Sequence, residues 1–172
     1  MVRRLFRSYE LSLSIRLDFQ GFAEELLSLP GHYASPCGGL WIAFIGQRPV
    51  GCVGVRPLSR GRAELKRLYV LPGARGRGVG LRLTRRAIAF ARAAGYGSIR
   101  LDTLPSMTGA QRLYAAVGFA RIPPYRFNPV PDASFWELAL RHAAPRGEVR
   151  GRPRSFEMSR GRLRDHRTDR RR

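Results

Sequence analysis

The pattern of apolar and polar residues along this chain changes period several times, and each change predicts an element. Apolar residues at helical spacing predict a helix over residues 2–14 and a second over residues 19–29, closed by Pro30-Gly31. The same spacing predicts two further helices, at residues 82–94 and 108–117. Short runs rich in β-branched and aromatic residues predict strands at 40–45, 49–55, 63–71, 99–102, 119–122 and 135–140.

Strands and helices alternate along the chain, and the first two strands form a hairpin around Gly46-Gln47. This order predicts an α/β (α+β) protein with a single domain. Helices are expected to flank a mixed, mostly antiparallel sheet. The two N-terminal helices are expected to cover one side of a cleft.

A glycine-rich loop joins the third predicted strand to the third predicted helix. Gly76, Gly78 and Gly80 lack a Cβ atom, so successive backbone N–H groups can point at one anion where the helix begins. Arg75 and Arg77 add positive charge at the same place. No Gly-Lys-Ser/Thr follows, and the last glycine of a dinucleotide-binding Gly-x-Gly-x-x-Gly pattern is absent. The loop is therefore predicted to hold the phosphates of another kind of ligand.

Positive charge is spread over the whole chain and is densest at its C-terminal end. The 172 residues carry a formal net charge of +20, and residues 143–172 contain 11 arginines against 4 acidic residues. That segment has too few apolar side chains to offset its ordering entropy, which predicts a disordered Arg-rich tail at 143–172 and one folded domain at 1–142. Weak, nonspecific nucleic-acid contact through the tail follows from its charge. Lys66 is the only lysine, and the simpler explanation of the arginine excess is a GC-rich genome.

Several classes of protein do not fit the sequence. Cys37 and Cys52 show neither zinc-site spacing nor a disulfide framework, and no histidine pair has metal-ligand spacing. No metal is therefore expected. No apolar run approaches the ~20 residues that span a bilayer, and Met1 is not followed by a secretory leader. A cytoplasmic protein without membrane contact is predicted.

Two motifs, in this order, resemble those of the GNAT superfamily of N-acetyltransferases. Arg75-x-x-Gly78-x-Gly80 is similar to the loop with which that superfamily binds the pyrophosphate of coenzyme A. A second motif is matched by Ala110-x-x-Leu113-Tyr114-x-x-x-Gly118-Phe119. The resemblance covers roughly residues 1–140. It is closest to a bacterial subgroup of small domains, matched by the segments 64–70, 101–107, 123–125, 128–129 and 135–138.

The resemblance implies acetyl-CoA as co-substrate and a set of residues that bind it. In the superfamily, main-chain groups at the end of the strand before the loop hold the acetyl carbonyl and the pantetheine arm. The implied coenzyme-binding residues are Leu68, Tyr69, Val70, Arg75, Gly76, Arg77, Gly78, Val79, Gly80, Leu81 and Ser106. Ser106 stands where many relatives have an asparagine, and its hydroxyl alternatively caps the helix that starts near Met107.

Glu64 and Tyr114 are the candidate catalytic residues. Relatives place a glutamate general base four residues before the position of Leu68, and use a tyrosine at the position of Tyr114 to protonate the departing thiolate. Regular alternation puts Glu64, Lys66 and Leu68 on one face of the strand. The alternatives are a salt bridge of Glu64 with Lys66 or Arg67, and a Tyr114 ring that only packs between helix and sheet.

The resemblance implies an N-acetyltransferase that passes an acetyl group from acetyl-CoA to a primary amine of a small molecule or peptide, by direct attack in a ternary complex. The protein is expected to be a monomer or a homodimer. Aromatic residues are expected around the acceptor, although any core requires a similar number of them: Phe19, Phe22, Tyr33, Tyr125, Phe127 and Trp136. One alternative is a CoA-binding module without turnover, whose basic tail associates with nucleic acid. Another is a degenerate product, since relatives carry an edge strand before the first helix that is missing here or lies upstream of Met1.

Overall fold

A computed structural model describes residues 1–13, 15–59 and 61–140, and the predicted tail lies outside these residues. Within them the chain forms four α-helices and six β-strands. The helices are α1 (Val2–Leu11), α2 (Phe22–Ser28), α3 (Val79–Ala93) and α4 (Thr108–Val117). The strands are β1 (Gly39–Ile45), β2 (Arg48–Ser59), β3 (Arg62–Val70), β4 (Ser98–Thr103), β5 (Ala120–Ile122) and β6 (Ser134–Ala139).

The six described strands join one sheet in the order β1-β2-β3-β4-β6-β5. Neighbouring strands are antiparallel except β3 and β4, which run parallel. The predicted fold class, a mixed and mostly antiparallel sheet flanked by helices, is confirmed. β3 and β4 pair only at residues 62–64 and 98–100, and their C-terminal halves do not pair with each other. This gap leaves the β4-facing edge of β3 without a strand partner.

The first two helices are shorter than the sequence pattern predicted. α1 ends at Leu11, and the predicted helix over residues 19–29 is divided into a 3₁₀ turn at Asp18–Gln20 followed by α2. Gly21 separates the two with φ of 64°, a left-handed conformation that interrupts a right-handed helix. Helical spacing of apolar residues continues across this break, so the pattern alone does not reveal it.

Two other boundaries differ from the prediction for local reasons. β2 continues to Ser59 through Pro57, a residue that lacks the N–H a strand ladder uses. α3 begins at Val79, three residues before the predicted start, because Gly78 in a left-handed conformation is its N-cap. The glycine-rich loop therefore leads directly into the first turn of α3.

The regular alternation predicted for β3 is wrong beyond Lys66. Arg67 has φ of 56°, and the pairing with β2 shifts register opposite it. This bulge adds one residue to β3. As a result Lys66 and Arg67 both reach Gln20 of the α1–α2 connection. Leu68 instead packs with Leu65 against the core under α3.

Two apolar cores lie on opposite faces of the sheet. The larger one is formed by the sheet, α3 and α4, and Ile88, Ile99 and Leu101 belong to it. The smaller one is formed where α1 and α2 cover the sheet, and it contains Phe6 and Tyr33. The two N-terminal helices thus cover one face, and the connection between them extends to the gap between β3 and β4.

Candidate active site

The glycine-rich loop is exposed where β3 ends. Gly76 and Gly78 have positive φ, of 74° and 71°, and a Cβ atom on either would meet no atom within 4 Å. Backbone conformation rather than crowding therefore calls for glycine at both positions. Arg75 folds back, and its Nε donates a hydrogen bond of 3.1 Å to the carbonyl oxygen of Val70. The loop offers an open surface with backbone donors and two exposed arginines.

A small cavity lies in the gap between β3 and β4. Its volume is about 30 Å³, room for one or two water molecules. Tyr114 of α4, Leu68 of β3 and the α1–α2 connection contribute to its walls. A larger open cleft of about 900 Å³ borders the glycine-rich loop beside α1 but contains neither Glu64 nor Tyr114. The cavity in the gap is therefore the place where predicted site residues meet.

Lys66 and Asp102 both line this cavity and form an ion pair. Lys66 Nζ donates a hydrogen bond of 2.9 Å to Gln20 Oε1 and lies 3.7 Å from Asp102 Oδ1. Asp102 also accepts hydrogen bonds from Arg126 and Asn128. Burial lowers the pKa of Lys66 to about 8, despite the opposing attraction of Asp102. Burial acts to raise the pKa of Asp102, but the charges of Lys66 and Arg126 outweigh it and hold that pKa below its ordinary value.

Glu64 is completely buried and does not line the cavity. One carboxylate oxygen accepts a hydrogen bond of 2.9 Å from Arg56 Nε. The other accepts one of 2.9 Å from the Tyr125 hydroxyl and lies 3.2 Å from Arg126 Nη1. The alternative expectation of an ion pair is confirmed in kind but wrong in its partners, because the two neighbouring basic residues of β3 pair with other carboxylates.

Arg67, at the bulge, is bound to α2. Its Nε and Nη2 donate hydrogen bonds of 2.8 and 2.7 Å to the two oxygens of Glu25, and Nη1 donates one of 3.0 Å to Gln20. Its guanidinium also lies 4.9 Å from the ring centre of Phe22. Burial acts to raise the pKa of Glu25, but Arg67 outweighs it and holds that pKa below its ordinary value. These contacts connect α2 to the bulge that places Lys66 in the cavity wall.

Tyr114 and Tyr9 bring two phenols to the cavity. Tyr114 packs against Phe119, with ring centres 5.7 Å apart. Burial, together with the nearby Tyr9 and Asp102, raises the pKa of Tyr114, and burial raises that of Tyr9 to about 12. Both phenols therefore keep their protons at neutral pH. Tyr114 is packed between helix and sheet and also lines the cavity, so its position is compatible with both predicted readings.

Most of the other residues expected at the site do not line the cavity. Ser106 is exposed, and α4 starts after Met107 without a side-chain cap, so the alternative capping role of Ser106 is wrong. Among the aromatic residues expected around the acceptor, Phe19 lines the cavity, whereas Phe127 is 80% exposed. Tyr125 contacts Glu64, and the other three are buried in the two apolar cores.

Comparison with known proteins gives the family. The acetyltransferase (GNAT) family model matches residues 4–119, more than half of the chain. An uncharacterized N-acetyltransferase of Schizosaccharomyces pombe is 34% identical over 140 residues, which are 80% of this chain and 86% of that protein. The chain belongs to the GNAT acetyltransferase family.

Solved structures of GNAT proteins share the fold. A GNAT-family acetyltransferase from Staphylococcus aureus gives a TM-score of 0.69 at 24% identity, over 81% of this chain and 93% of that one. A GNAT-family acetyltransferase from Elizabethkingia anophelis, which has acetyl-CoA bound, gives a TM-score of 0.52 at 21% identity, over 60% and 76% of the two chains. At these identities the likeness is one of fold.

Three residues that line the cavity, Lys66, Asp102 and Tyr9, were not predicted as site residues, although Lys66 and Asp102 lie in segments that carry the resemblance. Tyr9 reaches it from the first helix, and the Arg126 partner of Asp102 comes from a segment without regular pattern. For Asp102 the signal was its place at the end of a strand, and for Lys66 it was compositional, because Lys66 is the single lysine in the sequence.

Within residues 1–13, 15–59 and 61–140, no group of three or more histidine, cysteine, aspartate or glutamate side chains is placed to hold a metal ion. No helix in that part of the chain combines the length and apolar character needed to cross a membrane.

Proposed function

We propose that this GNAT protein transfers an acetyl group from acetyl-CoA to a primary amine of a small molecule or peptide, by direct attack in a ternary complex. One observation carries the proposal. β3 leads into the glycine-rich loop, and Tyr114 and Leu68 line a cavity in the gap between β3 and β4. The acetyl-CoA bound to the GNAT protein of Elizabethkingia anophelis supports the choice of co-substrate.

The glycine-rich loop binds the pyrophosphate of the coenzyme. α3 starts directly after Gly78 and is 15 residues long, so its N-terminal N–H groups and dipole favour an anion at the loop. Exposed Arg75 and Arg77 add positive charge. Arg75 turns from the Val70 carbonyl to the phosphates when the ligand binds.

The edge of β3 binds the acyl arm. Beyond Glu64, no described strand pairs with this edge on the β4 side, and backbone groups that are left unpaired are available to a ligand. The main chain of Leu68 and Val70 therefore holds the thioester end, as expected for this family. Ser106 adds a contact near the start of α4.

Tyr114 protonates the departing thiolate. It lines the cavity beside Leu68, and its raised pKa keeps the phenol protonated until the thiolate forms. The same raised pKa makes it a weaker acid than an exposed tyrosine. A proton-transfer group typically contributes about a hundredfold or more to rate, so a contribution of roughly ten- to a thousandfold is expected here.

Glu64 acts as a positioning residue. Both of its oxygens are engaged, and no part of it reaches the cavity, which favours an ion-pair role over the general-base role expected from the sequence. It holds Arg126, which also donates a hydrogen bond to Asp102 in the cavity wall. Asp102 attracts the acceptor as an ammonium ion, and the amine attacks after it has lost its proton to solvent.

The test is a panel of amines and peptides incubated with acetyl-CoA and the full chain. Amine-dependent release of CoA thiol, with an acetylated product identified by mass, would support the proposal. Binding of acetyl-CoA without release for any acceptor would favour the non-catalytic CoA-binding module. Absence of acetyl-CoA binding would contradict both readings.

A further inference from the structure

Lys66 is the single lysine in a chain that contains 31 arginines. Arginine supplies the positive charge at every other basic position, including Arg67 beside it, which is buried to a similar degree. A guanidinium keeps its proton in proteins, whereas an ammonium can lose one and become a nucleophilic amine. The chemistry that distinguishes lysine from arginine is therefore available at one position of the sequence.

The position of the Lys66 side chain is a second observation that favours a reactive amine. Its side chain is 5% exposed and lines the same cavity as Leu68 and Tyr114. Nζ makes one hydrogen bond, to Gln20, and its distance of 3.7 Å from Asp102 is too long for a second. Within the described residues, Nζ therefore has hydrogen-bonding capacity left toward the cavity.

The protonation state of Lys66 favours reaction. Burial lowers its pKa to about 8, so about a tenth of the side chains are neutral at pH 7. Lys66 lines the cavity together with Leu68, so its amine lies beside the strand that the proposed function assigns to the thioester.

We propose that Lys66 is a self-acetylation site, at which the chain accepts the acetyl group of its own bound acetyl-CoA when no external amine is present. The inference rests on the proposed function. Neutral Nζ attacks the thioester carbonyl carbon, so a C–N bond forms and the C–S bond breaks, with its electron pair passing to sulfur. Sulfur takes its proton from Tyr114, and the proton that nitrogen loses passes through solvent to the Tyr114 phenolate, which returns to the neutral phenol. The products are acetyl-Lys66 and CoA thiol.

Acetylation would change the cavity. It removes the positive charge of Lys66, so Asp102 keeps Arg126 and Asn128 as its partners. The added acetyl group occupies the small space beside Leu68 and Tyr114. We therefore expect the modified chain to turn over external amines more slowly than the unmodified chain.

The experiment is incubation of the full chain with acetyl-CoA alone, followed by intact mass and peptide mapping. The expected result is a gain of one acetyl group per chain, mapped to Lys66. Lys66→Arg keeps the positive charge and should gain none at that position. Arg62→Lys in the Lys66→Arg background places a lysine at an exposed position of the same strand, and it should stay unmodified, because uncatalysed acetylation is slow there.

The outcomes separate this inference from the proposed function. A wild-type chain that acetylates an external amine but stays unmodified at Lys66 would overturn the inference and leave the function standing. Equal acetylation at positions 62 and 66 would overturn it too, since it would reflect uncatalysed reaction. A chain whose melting temperature does not respond to acetyl-CoA would overturn both together.

Discussion

Replacement of Glu25 by alanine should destabilise the fold through Arg67. The two side chains are 9% and 2% exposed, and they share two charge-assisted hydrogen bonds. Without Glu25, the Arg67 guanidinium keeps its hydrogen bond to Gln20 and the ring of Phe22, but no other carboxylate in the described part of the chain pairs with it. Removing one partner of a buried ion pair costs about 3–5 kcal/mol of unfolding free energy. For a domain of this size, that corresponds to a fall in Tm of roughly 10–20 °C.

The Glu25–Arg67 pair predicts that the stability of the fold depends on pH. The folded-state pKa of Glu25 lies below its ordinary value of 4.5. Its contribution to the free energy of unfolding is therefore fully present above pH 4.5 and is lost as pH falls through the folded-state pKa. The difference in Tm between wild type and Glu25→Ala should therefore be constant near neutral pH and shrink in acid. Circular dichroism melts at several pH values measure both effects.

The matched control is Glu24→Ala, an exposed acidic residue in the same helix. Its Tm should stay within about 2 °C of wild type, because exposed charges contribute little to stability. Equal shifts for the two variants would refute the argument that α2 holds the β3 bulge through a buried ion pair.

Three further predictions concern the loop, Glu64 and the tail. Gly78→Asp can keep the left-handed backbone but brings negative charge to the phosphates, so acetyl-CoA should no longer raise the Tm. The control is Gly61→Asp, at an equally open turn with φ of 73°, and acetyl-CoA should still raise the Tm of this variant. Glu64→Gln should keep the wild-type pH profile of kcat/KM, and loss of one limb would restore the general-base role. A chain that ends at His142 should melt within about 2 °C of the full chain, and a larger drop would show that residues 143–172 contribute to the fold.

The sequence predicted the fold class because the periodicity changes cleanly between strands and helices. It did not predict the bulge at Arg67, since one left-handed residue leaves no mark in an apolar pattern. That residue reverses the faces of everything after it in β3, so the predicted face of Leu68 was wrong. Gly21 is also left-handed, and it interrupts the helix before α2 without changing the spacing of the apolar residues.

The parts of the candidate site that lie within one segment of the sequence were predictable, and the contacts between distant segments were not. The glycine-rich loop is continuous in sequence and begins a helix, so spacing alone described it. The partners of Glu64 come from β2 and from residues 125 and 126, 61 and 62 positions away. Asp102 and Lys66 meet because β3 and β4 are neighbours in the sheet. No spacing rule within one segment indicates such contacts.

The most direct test of acetyl transfer at the β3–β4 gap compares Tyr114→Phe with Tyr9→Phe once an acceptor is known. Both tyrosines line the cavity, and each variant removes one hydroxyl. We predict that Tyr114→Phe lowers kcat roughly ten- to a thousandfold with an unchanged Kd for acetyl-CoA, because the thiolate loses its proton donor. Tyr9→Phe should stay within about threefold of wild type. An unchanged kcat in folded Tyr114→Phe, or a larger loss in Tyr9→Phe, would contradict it.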